Sequence, residues 1–143
     1  MKQRTVAVVI LYTSTGKLLY QDRKSIKKWG EEWCTFGGGM EEGETKEQAV
    51  VREIKEELDY DLKDFKYLTY VSAKMKRYAP PHELWHITAE IFVSKIAEDK
   101  SQFKILEGDG MEFYTVPQAR NLTLNALEYQ ILNVAEQYLG KNL

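Results

Sequence analysis

Apolar residues fall into short runs separated by polar turns, with two longer stretches at helical spacing. Val6 to Tyr12 is apolar and rich in β-branched residues, TSTGK supplies turn chemistry, and LLYQDR follows, which predicts a hairpin. After a polar loop, WCTF predicts a short strand stopping at Gly37, Gly38 and Gly39, where a backbone without Cβ can turn sharply or approach a ligand closely. Thr45 and Gln48 form a capping box, and Val50, Val51, Ile54 and Leu58 then share one arc of a helical wheel whose face should bury against a sheet. FKYLTYVSAKMKRY and ELWHITAEIFVSK read as paired strands, the second alternating Trp85, Ile87, Ala89, Ile91 and Val93 on one face. GMEFYTV is a further strand, and Asn125 to Leu139 carries Leu127, Ile131, Val134, Ala135 and Tyr138 at helical spacing before Gly140. Strands on both sides of a central helix, with another helix at the end, predict a mixed sheet covered by helices in one domain spanning 1–143.

Composition narrows the function classes. Twenty basic residues against twenty-two acidic ones leave no basic bias, so a nucleic acid polymer is not an expected partner. The run Val6 to Leu11 is too short to span a membrane and lacks a cleavage site, and the lone Cys34 cannot form an internal disulfide. A cytoplasmic protein without a membrane partner is expected. The basic stretch RKSIKK, Arg23 to Lys28, suits either an anionic ligand or a solvated loop.

Seven acidic residues crowd Gly37 to Leu58 although the net charge is only -2. Glu53, Glu56 and Glu57 are three and four residues apart, so they are expected to project together, away from the Val51, Ile54 and Leu58 stripe. One reading is a solvated acidic face with Arg52 paired to Glu56. The other is a platform for a hard divalent cation, because glycine carbonyls precede the helix and Glu44 stands just before its cap.

The stretch Gly38 to Tyr60 resembles the signature of the Nudix hydrolases, G-x5-E-x7-R-E-U-x-E-E-x-G-U, with Gly38, Glu44, Arg52, Glu53, Ile54, Glu56 and Glu57 in register. Asp59 stands where that signature has Gly, and Asp tolerates the left-handed cap that Gly would supply. The resemblance implies an α+β Nudix fold, an α/β/α sandwich with a mixed β-sheet. It also implies Mg²⁺, with Mn²⁺ as the alternative, bound by Glu53, Glu56, Glu57 and the Gly38 carbonyl. Arg52 would orient a neighbouring carboxylate, and Glu44 would support the cluster. A further acid from the segment LEGDGMEFYTV is expected, Glu107 ahead of Glu112. Glu53 is the first choice for general base and Glu107 the second. The implied reaction is attack of water on a nucleoside diphosphate linked to another moiety, such as a (deoxy)nucleoside triphosphate; the alternative is a Nudix-fold module that senses a nucleotide without cleaving it.

Other motifs compete with this reading. HELWH, His82 to His86, spells a zinc-protease motif, but in an alternating strand residues four apart are separated by about 13 Å and cannot share one ion. Cys34 lacks a neighbouring histidine and reads as structural. Trp29, Trp33, Tyr78, Trp85 and Phe113 are stacking candidates as well as core candidates. Asn125 is placed like a base-reading Asn of the resembled family and suits a helix N-cap equally, and Tyr78 is placed like a substrate contact of dinucleoside polyphosphate hydrolases.

Overall fold

In the computed structural model, which describes residues 1–143, the first apolar run becomes the long strand β1 (Lys2–Tyr12). Ala7, Val9 and Leu11 enter one core, while Val8, Ile10 and Tyr12 enter another. A strand covered on both faces must be apolar at every position, which explains the continuous run. The strands β2 (Leu18–Asp22), β3 (Trp33–Cys34), β4 (Phe36–Gly39), β5 (Lys66–Lys76), β6 (Leu84–Lys95) and β7 (Gly110–Tyr114) complete the sheet. Its main path is β3-β2-β1-β6-β5, with β4 paired to β1 and β7 to β2. β1 and β6 run parallel from Lys2 opposite Trp85 to Tyr12 opposite Lys95, and the remaining pairs are antiparallel, so the sheet is mixed.

Helices α1 (Lys46–Leu58) and α3 (Ala126–Asn142) cover opposite faces, and the short α2 (Val116–Ala119) precedes α3. The capping box of α1 forms: Gln48 N donates to Thr45 Oγ1 at 3.1 Å, and Thr45 N donates to Gln48 Oε1 at 2.9 Å. Ala49, Val50, Ile54 and Leu58 pack with Phe36 and Phe92. Leu127, Ile131, Leu132, Ala135 and Leu139 pack with Ile87, Ala89, Ile91 and Val93 across the sheet. Each large aliphatic side chain so buried stabilises the fold by roughly 1.5–3 kcal/mol. The result is an α+β sandwich of helix, sheet and helix.

Several local expectations change. Gly37 to Gly39 belong to β4 and pair with β1, rather than forming a turn after a strand. Val51 is 36% exposed because it flanks the buried stripe instead of lying within it. α3 runs through Gly140, where a helical glycine costs only about 1 kcal/mol relative to alanine. Asp59 takes the left-handed cap (φ 49°, ψ 45°) and donates its N–H to Lys55 O at 3.0 Å, as the substitution for glycine requires. β6 carries His86 in a strand, so HELWH cannot form the helical zinc motif. No helix is long and apolar enough to cross a membrane.

One buried carboxylate joins the layers. Glu128 on α3 is 5% exposed, and its Oε1 accepts from Thr35 N at 2.6 Å and Thr35 Oγ1 at 2.7 Å, between β3 and β4. Burial raises this carboxyl to about 7, against the pull of the Thr35 bonds and with a further push from Glu31. Because the folded value lies above the ordinary 4.5, the native state holds the extra proton, and stability falls as pH rises from about 4.5 to about 7. Glu128→Gln keeps an acceptor for Thr35 without the ionisation. Relative to wild type, the variant is expected to be about 2 kcal/mol more favoured at pH 8 than at pH 5. Urea melts at the two pH values measure this, and an unchanged difference would refute it.

Candidate functional site

Glycine in β4 permits two close approaches, to β1 at Gly37 and to helix α1 at Gly38. At Gly37 (φ 143°) a Cβ would collide with Ala7 O and stand 2.6 Å from Val8 Cα on β1. At Gly38 it would stand 2.5 Å from the Glu53 Cδ. With those positions bare, Gly37 N donates to Glu57 Oε1 at 2.7 Å.

Glu57 is only 2% exposed, which corrects the expectation that the three helix acids share a face turned from the core. It stands seven residues after Val50, two turns on, and so falls within the buried stripe. Desolvation pushes its carboxyl well above the usual carboxylate range; the Gly37 N–H opposes that push, and Glu53 and Glu107 add to it. Glu53 is raised in the same way, chiefly by burial and against Arg52. Glu56 is half exposed.

Arg52 organises the acids around it. Its Nε and Nη2 hold the two Glu44 oxygens at 2.7 and 2.9 Å, Nη2 also donates to Gly39 O at 2.9 Å, and Nη1 reaches Glu53 Oε1 at 3.0 Å. The contact with Glu56 is longer, 3.4 Å. Hydrogen bonding to Arg52 draws the Glu44 carboxyl down to about 2. A planar guanidinium holding one carboxylate with two parallel bonds fixes direction as well as charge.

Glu107 joins the helix acids from a later segment. Lys104 N donates to Leu58 O and Leu106 N to Glu57 O, each at 2.9 Å, which pins this segment to the end of α1. Gln21 Nε2 holds the Glu107 carbonyl at 3.1 Å. Glu112 instead pairs with Lys100 at 2.8 Å.

Gly38, Glu53, Glu56, Glu57 and Glu107 line a cavity of about 360 Å³ that continues to Met75, Ile87, Leu127 and Ile131. Arg4, Arg23 and Lys28 also line it, so the RKSIKK stretch divides: Lys24 pairs with Asp22 and Lys27 with Glu32 on the surface, while two cations face the cavity. Burial lowers the Lys28 ammonium, and the charges of Arg4, Arg77 and Arg23 lower it further. Arg23 Nε is buried without a partner. Asn125 lines the cavity as the N-cap of α3: its Oδ1 accepts from Glu128 N at 2.9 Å, and its Nδ2 donates to Glu31 Oε2 at 3.0 Å. Tyr78 is 60% exposed and outside the lining, although its N–H bonds Lys28 O at 3.0 Å. Of the aromatic candidates, Trp29 lines the cavity, with Arg77 over its ring and Trp85 edge-on to it. Cys34 also lines it, but desolvation and Glu128 raise its thiol well above the ordinary value, which removes it as a nucleophile. Arg4, Glu31, Thr35 and Glu128 had no sequence signal; nothing in GEEW separates the buried Glu31 from its neighbour.

The donors near Gly38 suit a hard divalent cation, since all are carboxylate or carbonyl oxygens. A cation would also relieve the burial penalty on Glu53 and Glu57. No three acidic, histidine or cysteine side chains stand closely enough together to enclose an ion.

The family model described as NUDIX domain matches residues 1–133. A nucleoside triphosphatase NudI of Enterobacter sp. (strain 638) is 41% identical over 58 residues, a stretch covering 41% of this chain and 41% of that relative's length. The dihydroneopterin triphosphate pyrophosphohydrolase of E. coli superimposes with a TM-score of 0.73 at 23% identity, over 99% of each chain. The NUDIX domain of Shewanella oneidensis NrtR, complexed with ADP ribose, gives 0.73 at 16% identity, over 97% of this chain and 90% of that one.

The two glycines are expected to fail differently. Gly37→Ala forces a Cβ into β1 backbone and should destabilise the fold by about 2–3 kcal/mol. Gly38→Ala meets only the mobile end of Glu53, so it should melt nearly as wild type while displacing that carboxylate. Denaturant melts of both variants check this, and equal losses would refute it.

Proposed function

The chain belongs to the NUDIX family, and from that premise we propose that it is a Mg²⁺-dependent pyrophosphohydrolase of a nucleotide-type substrate, such as a (deoxy)nucleoside triphosphate. The observation that carries the reading is that Glu53, Glu56, Glu57 and Glu107 line one cavity beside the three glycines of β4. Gly38 O, Glu53, Glu56 and Glu57 would hold the cation, with Glu107 as a further ligand. Bound there, the ion supplies neutralisation of phosphate oxygens and Lewis acidity toward water. Mn²⁺ would suit the same oxygen donors.

The chain's own residues then have separate tasks. Glu53 accepts the proton from the attacking water, with Glu107 next in line; burial raises Glu53, which favours proton acceptance. Arg52 keeps the Glu53 carboxylate directed at the cavity and uses Glu44 as its counter-anchor. Glu57, locked to Gly37 N, contributes a fixed oxygen that needs no rearrangement. Arg4, Arg23 and Lys28 line the path with positive charge for the rest of the phosphate chain. The attached group would lie against Asn125 and the apolar wall; Tyr78 would reach it only from the rim. The products are two phosphate-bearing fragments, or a nucleotide and pyrophosphate.

The NudI and dihydroneopterin triphosphate relatives are named for triphosphate substrates, which favours a triphosphate here. A second reading is a fold that binds a nucleotide without cleaving it; the NrtR domain is named as bound to ADP ribose. Turnover separates them. Product release from a panel of nucleoside triphosphates is expected with Mg²⁺, to vanish with chelator, and to fall by at least about a hundredfold in Glu57→Gln. That variant should melt no lower than wild type, because it removes a buried charge. Full metal-dependent activity in Glu57→Gln would sink the site assignment, and binding without release would select the second reading.

A further inference from the structure

Two buried carboxylates line the part of the cavity formed by α3 and the loop before β3, and their hydrogen bonding differs. Glu128 is committed through both oxygens to Thr35. Glu31 is 3% exposed; Asn125 Nδ2 donates to its Oε2 at 3.0 Å, and Trp29 N approaches its Oε1 at 3.4 Å. Both donors are neutral, and a carboxylate has about four lone-pair positions. Two acceptor positions of Glu31 are therefore left for a ligand, in a place where an incompletely bonded charge is costly.

The surroundings give that ligand a shape. Trp29, Met75, Ile87 and Leu127 line the same cavity, so a planar apolar body with polar groups on one edge fits between them. The cavity volume, about 360 Å³, is near the lower end of the usual range for ligand pockets, which suits one heterocycle rather than two.

We propose that Glu31 is the specificity-determining residue of this site and accepts two hydrogen bonds from a heterocycle that presents a ring N–H beside an exocyclic amino group. Guanine and the pterins share that edge. Adenine and cytosine place a ring acceptor beside their amino groups, uracil flanks its ring N–H with carbonyls, and hypoxanthine lacks the amino group. A carboxylate satisfied by the first edge meets lone pairs or a missing donor in the others. Asn125 acts here as the positioning residue, since its amide fastens Glu31 to the start of α3.

The inference rests on the proposed function only in placing phosphates near Gly38, and its test requires no turnover. GMP, neopterin monophosphate, IMP and AMP are titrated into the full chain by calorimetry. GMP or neopterin monophosphate is expected to bind at least about tenfold more tightly than IMP and AMP, and the tighter of the two names the source. Glu31→Gln should reduce that preference to less than about threefold with AMP affinity unchanged, and Glu31→Asp should retain part of it. A role confined to anchoring the Trp29 loop would weaken all four ligands together. That outcome, equal affinities for the wild type, or no binding by any of the four overturns the proposal. If Glu31→Gln does not fold, the wild-type ranking still decides. Absence of hydrolysis would remove the catalytic reading and leave the ranking to stand or fall by itself.

Discussion

A buried carboxylate accepting one backbone N–H organises the centre of this molecule. Glu57 reaches the Gly37 N–H on a strand whose glycines lie bare against β1 at Gly37 and against Glu53 of α1 at Gly38. The strand–helix distance, the exposure of the Gly38 backbone to Glu53 and the burial of Glu57 all follow from that approach. Packing from Val50, Ile54 and Leu58 supplies the adhesion that holds it. The charged and apolar faces of α1 are thus joined in one stripe, and the hydrophobic contact sets the position of the acid.

Electrostatics then work against the fold at this point. Glu53 and Glu57 are both disfavoured as anions by burial, and Glu107 raises both. Arg52 offsets part of this for Glu53 but is turned mainly to Glu44, whose carboxyl it stabilises strongly. The protein therefore fixes the backbone and the supporting ion pair while leaving its deepest acid short of positive charge. Local instability of this kind is expected where a ligand completes the structure.

Much of this arrangement was readable in the sequence because local rules governed it. The Thr45–Gln48 box, the β1–β2 hairpin, the alternation of β6 and the left-handed cap at Asp59 depend on neighbours within a few residues. The spacing of Gly38, Glu44, Arg52, Glu53, Glu56 and Glu57 likewise lies within one strand and one helix. The residue type of Glu57 suggests solvent, while its seven-residue separation from Val50 puts it in the core. Three consecutive glycines read as a sharp turn or a close approach, because glycine disfavours strands, and only the presence of β1 and α1 beside β4 shows why a strand requires them. Glu31, Thr35, Asn125 and Glu128 meet through contacts between segments distant in sequence, and no local pattern announces such a meeting.

The parallel register of β1 with β6 has a kinetic consequence. Lys2 must find Trp85 and Tyr12 must find Lys95, so the central ladder closes across most of the intervening chain, including β4 and α1. Helix α1 can form early from its own cap and side-chain spacing, whereas the β1–β6 ladder carries a large loop-closure entropy. High contact order at the middle of the sheet makes its assembly slow relative to local elements. The apolar stripe of α1 is then left without Ala7, Val9 and Phe92 until that ladder closes.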